Sequence, residues 1–504
     1  MSVSAEITPQ EAAATQKKST GKVLLTAPAG SWITALVFLL SMSALGLRFY
    51  PALLAVLLIM ARTFTRDRYA FLIQVTLLIG GYALTDSTVT IINMSRIAFP
   101  VCLLLMFLVR KDKVTLRITI AWAIYFGLLF LMAMRSEESM RIQIRSIVNY
   151  ASLIYIFVPL AILANRRFSY DSFVRAVWPY AFILCVFYIL DAFVLSGFVL
   201  IPRSHIWEGD TMFYDLYWSP LSGSVIRKYP PGLYILALLV LPLAREYRLR
   251  VWQWCVVVVA LISTQTFTFI SGIVFVFFII QSGLRRILLY GVLGVLGGVA
   301  LYYIDGTMEY TEAGEFVNHT PMRIKSSVDQ ILDLRNAVDD EDIAEFGSGR
   351  IAQAIPKLEL LYQLEREWRG LGFLDRYETD NPKFIIENEY YKDQSESIEV
   401  ATNIEIVVLQ ILVSIGYIGL IVHILFYAYT YWAVRKLKHA KYYLSVLLIF
   451  TWLGFGGFEG LIYYMGVQMA ALALAVPLLQ YRSDLAYGSP DSNLTESCKP
   501  TTDA

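Results

Sequence analysis

Residues 403–419 read NIEIVVLQILVSIGYIG, and the fold turns on how this run is placed. It opens on Asn403, Ile404 and Glu405, continues as Val, Ile and Leu, and carries Gly416-Tyr417-Ile418-Gly419. The apolar residues surround the helix instead of recurring every three or four positions, the pattern of a helix enclosed by lipid or protein. Downstream the run ends at Arg435, Lys436, Lys438 and Lys441. Upstream lies a polar insert, 305–402, with 22 Asp and Glu against 10 Lys and Arg, out of 41 acidic residues in the whole chain. A carboxylate-rich module joined to a helix too apolar for water points to a membrane protein with a large polar insert on one face.

The composition agrees. The chain has 504 residues, is 57% hydrophobic and has a mean hydropathy of +0.56. Its apolar residues fall in blocks of about 15 to 22, the length that crosses a bilayer core as a helix. The expected spans are 32–47, 50–61, 69–84, 88–109, 118–134, 147–164, 176–200, 231–244, two short helices at 251–263 and 267–280, then 287–304, 405–429, 442–455 and 462–479. That is about fourteen. Clusters of Arg and Lys close every second connection, at 62–68, 110–117, 166–175, 245–250, 285–286 and 435–441. By the positive-inside rule these connections and both termini face the cytoplasm. The insert, the loop 201–230 and the short connection after residue 134 then face outward.

The expected organisation is a disordered cytoplasmic tail (1–28), a transmembrane bundle (29–304), the insert (305–402), C-terminal transmembrane helices (403–481) and a second tail (482–504). Within the insert, residues 322–338 and 351–366 place Ile and Leu at helical intervals, and Pro356 is expected to bend or restart the second helix. Both are too short and polar to span. They are expected to lie apolar face down over the bundle, as a lid.

Several residues stand where chemistry is done. Arg350 follows Gly347-Ser348-Gly349 and opens a helix, where its guanidinium and free backbone N–H groups suit phosphate oxygens; it equally suits a surface ion pair. Arg227 and Lys228, before Tyr229-Pro230-Pro231, are placed at an outer mouth to hold a second phosphate or a leaving group, or to anchor the interface by snorkelling. Arg203 shares that loop. Arg96 and Asp191 fall inside spans, where a charge is costly unless it meets a cavity or a partner. Glu405 heads the helix after the insert, favoured there by the helix dipole and placed to act as a general base. Glu399 and Glu459 are rivals for that role.

Other classes find no support. The histidines at 205, 319, 423 and 439 lack metal-ligand spacing, and no cysteine pair falls in the insert, so neither metal nor cofactor is expected. No phosphate-binding Gly-Lys-Ser/Thr loop is present, and no pattern suggests nucleic-acid binding. No repeat of broken helices marks an ion-coupled transporter.

The layout resembles the O-antigen polymerase and O-antigen ligase superfamily of bacterial inner-membrane proteins, an all-α, GT-C-like architecture. Arg350, Gly370-Leu371-Gly372 and Gly416-Tyr417-Ile418-Gly419 match the family pattern in order and approximate spacing. Thr264-Gln265-Thr266 is similar to its Thr-x-Ser-Arg hairpin without the arginine. The family ligase histidine falls at Glu405, and an aromatic residue soon after Arg350 is missing; both departures favour a polymerase over a ligase. The resemblance implies metal-free, inverting transfer of a glycan from undecaprenyl diphosphate to a sugar hydroxyl on the outer face of the inner membrane. Glu405 and Arg350 would be catalytic, and Arg350, Arg227, Lys228, Arg203 and Arg96 would hold diphosphate. The implied partners are the lipid-linked oligosaccharide, the bilayer, a flippase and a chain-length regulator. A ligase, or a flippase for lipid-linked oligosaccharide, remains the alternative.

Overall fold

In a medium without water a backbone must bond to itself, so long apolar segments become helices. The computed structural model describes residues 23–42, 74, 113–144, 168–194, 200, 218–219, 224–225, 247–263, 350–372, 379–387, 398–401, 404, 406–455 and 464–487, and these are mostly helical. The helices are α1 (Ala29–Met42), α2 (Lys113–Ala133), α3 (Tyr170–Phe193), α4 (Val251–Ser263), α5 (Arg350–Gln363), α6 (Val407–Val434), α7 (Ala440–Phe455) and α8 (Tyr464–Tyr487). Three of them, α2, α3 and α6, are long and apolar enough to cross a membrane. Six two- or three-residue strands form three small pairs: β1 (Val23–Leu24) with β4 (Tyr247–Arg248), β2 (Trp218–Ser219) with β3 (Ser224–Val225), and β5 (Ile385–Glu387) with β6 (Ile398–Val400). Each pair is a two-stranded sheet that staples loop segments together. The fold class is helical, as expected.

The side chains of α2 divide as a membrane helix should. Leu116, Ile120, Ile124, Leu128 and Leu131 are exposed along one stripe, whereas Ile118, Trp122, Tyr125 and Leu129 are buried on the other. The buried stripe packs against α6, where Tyr125 stacks on Phe426 and shares a 2.7 Å hydrogen bond with Nδ1 of His423. A polar pair inside an apolar interface must be mutually satisfied, and this one is. Helices α1 and α4 both pack on α3. The Gln74 amide ties α1 to α3 by donating to the carbonyls of Ser31 (3.1 Å) and Ala176 (2.9 Å). Helix α7 packs on α6 and α8, and Tyr443 of α7 shares a 2.9 Å hydrogen bond with Thr430 of α6.

The polar connections gather in two places. At the C-terminal end of α6, His439 stacks on Tyr170 at 3.9 Å, Phe168 N–H donates to Ser483 Oγ (3.0 Å), and Tyr170 N–H donates to Gln480 (3.2 Å). Tyr247 donates to Asp171 (2.9 Å), and Arg175 reaches both Asp171 (2.6 Å) and the Thr26 carbonyl (3.2 Å). The expected inner connections 166–175, 245–250 and 435–441 therefore meet one another. Just beyond the C-terminal end of α2, residues 136–141 meet the insert.

Several boundaries shift. Residues 23–28, read as part of a disordered tail, are ordered by strand pairing and by Leu25, which is buried and donates its N–H to Arg248 O (3.1 Å). Helix α8 continues to Tyr487, past the expected tail start at 482. Helix α3 begins at Tyr170, so Arg175 lies inside it; Asp191 occupies its last turn. Helix α5 continues through Pro356 as one element, without the restart that was one of the two expectations there. The expected spans at 50–61, 88–109, 147–164, 231–244, 267–280 and 287–304 lie outside the described residues, as does 69–84 apart from Gln74.

Candidate functional site at the seam between insert and helix

The apolar run 403–419 is divided. The expected span from 405 to 429 contains a break at Gly416, whose φ of 67° and ψ of −174° interrupt the helical conformation of α6. At about 1.5 Å per residue, the 28 residues of α6 would extend roughly 42 Å, more than the ~30 Å hydrocarbon core needs. Residues 417–434 alone measure about 27 Å. That second part runs beside α2, pairing Tyr125 with His423. The first part is held between two cores: Val407, Ile411 and Ile415 join the large helical core, while Leu412 and Val413 join a smaller one with Ala354 and Leu361 of α5, Leu371, Phe384, Ala401 and Ile404. Ile404 and Ile406, which flank Glu405, belong to this smaller core. The insert core thus continues past residue 402 into the first turns of α6.

The break is occupied by the turn that follows α5. Leu371 and Gly372 donate their N–H groups to the carbonyls of Val413 (2.8 Å) and Ser414 (2.9 Å). Beyond the break, the N–H groups of Tyr417 and Ile418 donate to Glu367 (2.9 Å) and Trp368 (3.3 Å) carbonyls. Carbonyls and amides freed by the interruption are thereby satisfied by another segment, as burial demands. Glycine is required on both sides: a Cβ on Gly416 would collide with the Trp368 and Arg369 backbone, and a Cβ on Gly370 (φ 74°) with the Ser414 and Ile415 backbone. Gly372, at φ 111°, leaves no room for a Cβ beside Ser136.

Just beyond α2, residues 136–141 complete the seam. Ser136 Oγ donates to Leu371 O at 2.5 Å. Glu137 forms ion pairs with Arg366 and, at 3.2 Å, Lys383; the Lys383 hydrogen bond and then Arg366 hold its carboxyl below the usual range. Buried Glu138 accepts from Ser139 N–H (2.8 Å), Asp380 N–H (3.2 Å) and the Thr379 hydroxyl. Asp380 accepts from Ser139 Oγ (2.5 Å) and Arg141 (3.3 Å), which lower its pKa in that order. Exposed pairs such as these contribute little singly, but together they orient the insert beside the end of α2.

Of the sequence candidates, Arg350 is the first residue of α5. Glu405, Arg227, Lys228, Arg203, Arg96 and Glu459 lie outside the described residues, and Glu399 is in β6. Three residues were not anticipated. Lys357, on the same face as Ala354 and Leu361, is fully buried. Trp368 and Tyr362 are exposed aromatics beside the seam. Periodicity counts Lys357 as an interruption of an apolar face; the burial of that face is what gives it meaning. Among the described residues, no three His, Cys, Asp or Glu side chains gather as a metal site.

No family model matches the chain, and neither does any curated protein or solved structure.

Proposed function

We propose that the protein is a membrane glycan polymerase, joining undecaprenyl-diphosphate-linked oligosaccharide repeat units on the outer face of a bacterial inner membrane. One observation carries the reading. Two short elements, Gly370-Leu371-Gly372 and the segment that starts at Gly416, interlock in one seam, and the helix that Arg350 opens packs on the broken helix through Ala354 and Leu361. An arrangement this dependent on glycine has a use beyond closing a loop: it fixes one insert face over helices of membrane-crossing length.

In the reaction, an acceptor sugar hydroxyl attacks the anomeric carbon of the lipid-linked glycan. The bond from that carbon to the diphosphate oxygen breaks, the diphosphate leaves on its lipid, and the configuration inverts. Glu405 accepts the hydroxyl proton. Arg350, with Arg227 and Lys228, offsets charge growing on the leaving diphosphate. Arg203 and Arg96 are further cations for that role. The insert acts as a lid that excludes water, the competing nucleophile. The orientation follows from the positive-inside count, with both termini cytoplasmic. A flippase would deliver the substrate, and a chain-length regulator would act on the product.

The test is purified protein in nanodiscs with a synthetic undecaprenyl-diphosphate repeat unit. Longer glycans and free undecaprenyl diphosphate are expected, and both should vanish in Arg350→Ala and Glu405→Gln at unchanged protein level. Transfer to a lipid A core acceptor without lengthening identifies a ligase. Accumulation of single repeats inside the membrane in a deletion strain identifies a flippase and sinks the polymerase reading.

A further inference from the structure

We propose that Trp368, Tyr362 and Tyr417 form a carbohydrate-stacking platform at the seam, a subsite for a sugar ring of the acceptor glycan; this rests on the polymerase reading. The three rings come from three elements: Tyr362 from α5, Trp368 from the turn after it, and Tyr417 from α6 just past the break. The Trp368 indole is 57% exposed and the Tyr362 ring 52%, although both belong to a well-packed part of the fold. Tyr417 meets Trp368 edge to face at 5.5 Å and shares a 2.8 Å hydroxyl hydrogen bond with Tyr362.

Exposure here is not looseness. The Trp368 carbonyl accepts from Ile418 N–H at 3.3 Å, and Gly416 lies against its backbone. The ring is therefore presented from a fixed main chain, so little ordering remains to be done on binding. Aromatic faces carry negative potential and attract the polarised C–H groups of a sugar ring. In the Tyr362–Tyr417 pair one hydroxyl donates to the other, which leaves an O–H and lone pairs for sugar hydroxyls.

Trp and Tyr also gather at lipid interfaces. Trp368 is, however, set within Glu365-Arg366-Glu367-Trp368-Arg369, where Glu365 and Arg369 are exposed and Arg366 is paired to Glu137. Four charged residues within three positions of Trp368, two of them exposed, suit water better than lipid, and that favours a glycan over a lipid.

The experiment has two readouts on full-length protein in nanodiscs. In the first, 5-fluorotryptophan is incorporated and the Trp368 resonance assigned by its loss in Trp368→Phe. Oligosaccharide released by mild acid from the host's own polysaccharide is then titrated. A saturable shift at Trp368, reduced at least threefold in Tyr362→Phe, is expected. No shift, or broadening at Trp368 by paramagnetic lipid in its place, overturns the platform whether or not the protein polymerises. In the second, KM for the lipid-linked acceptor rises about tenfold in Trp368→Leu, and falls back in Trp368→Phe. Equal rescue by Leu and Phe means an apolar anchor only and overturns the proposal. Absence of polymer from the wild type sinks the polymerase reading alone, because the binding readout does not require turnover.

Discussion

Gly416 lies against the carbonyl of Trp368 so closely that no Cβ fits between them. Gly370 stands in the same relation to the Ser414 carbonyl, so two left-handed glycines interlock across the seam. Alanine at either position meets both an unfavourable φ and a backbone clash, neither of which a flexible side chain can relieve.

Gly416→Ala and Gly370→Ala are therefore expected to undock the turn 366–372, with loss of roughly 2–4 kcal/mol and of any activity. Gly127→Ala in α2 is the control. Nothing lies within 4 Å of its Cβ, so it should be neutral or stabilising by about 0.5–1 kcal/mol. Thermal denaturation in detergent compares the three, and equal midpoints would refute the interlock.

The buried pair between α2 and α6 makes a second test. Tyr125→Phe leaves the His423 imidazole without its 2.7 Å partner in an apolar interface, at an expected loss of about 1–3 kcal/mol. The double variant Tyr125→Phe with His423→Leu should recover part of the loss, because an apolar pair needs no partner. A double-mutant cycle on unfolding midpoints measures the coupling.

The ion pairs around Glu137 set a pH dependence. Lys383 and Arg366 lower its folded pKa below the unfolded value. The stabilisation is thus full above the unfolded value and is lost as pH falls from there through the lower, folded one. Spin labels at Met140 and Ile385, both exposed, should give one narrow distance distribution at pH 7 that broadens at pH 3. Glu137→Gln should broaden it already at pH 7.

His439 gives a dependence at higher pH. Burial, then the neighbouring Lys438, lowers its pKa to about 4, against an opposing pull from Asp484. Because the unfolded imidazole binds a proton more readily, stability is full above pH 6.5 and declines as pH falls from there toward 4. His439 also has a φ of 63°, a conformation that asparagine tolerates. His439→Asn should therefore keep the turn between α6 and α7 and flatten the stability profile between pH 6.5 and 4, read from thermal midpoints across that window.

Much of the fold was legible because its signals are local. Helix α4 starts and stops where its apolar run does, at Val251 and Ser263. The helical spacing of Ala354, Leu358 and Leu361 gives α5 one apolar face, and these three residues pack in the smaller core. The candidate site was legible only as motifs in order. Its docking loop was hidden, because Ser136, Glu137 and Glu138 look like any short polar connection until Leu371, Arg366 and Thr379 are brought to them.

By itself the chain's sequence determined a helical protein with segments long and apolar enough for a membrane, since burying a backbone without water leaves few choices. It also determined a polar insert with an amphipathic helix. Only tertiary structure decided where the run 403–419 divides. An apolar stretch carries no mark of a single left-handed glycine. The break at Gly416 is stable only because a turn centred on Gly370 returns to meet its free carbonyls and amides, and that partner is supplied by packing, not by neighbours along the chain.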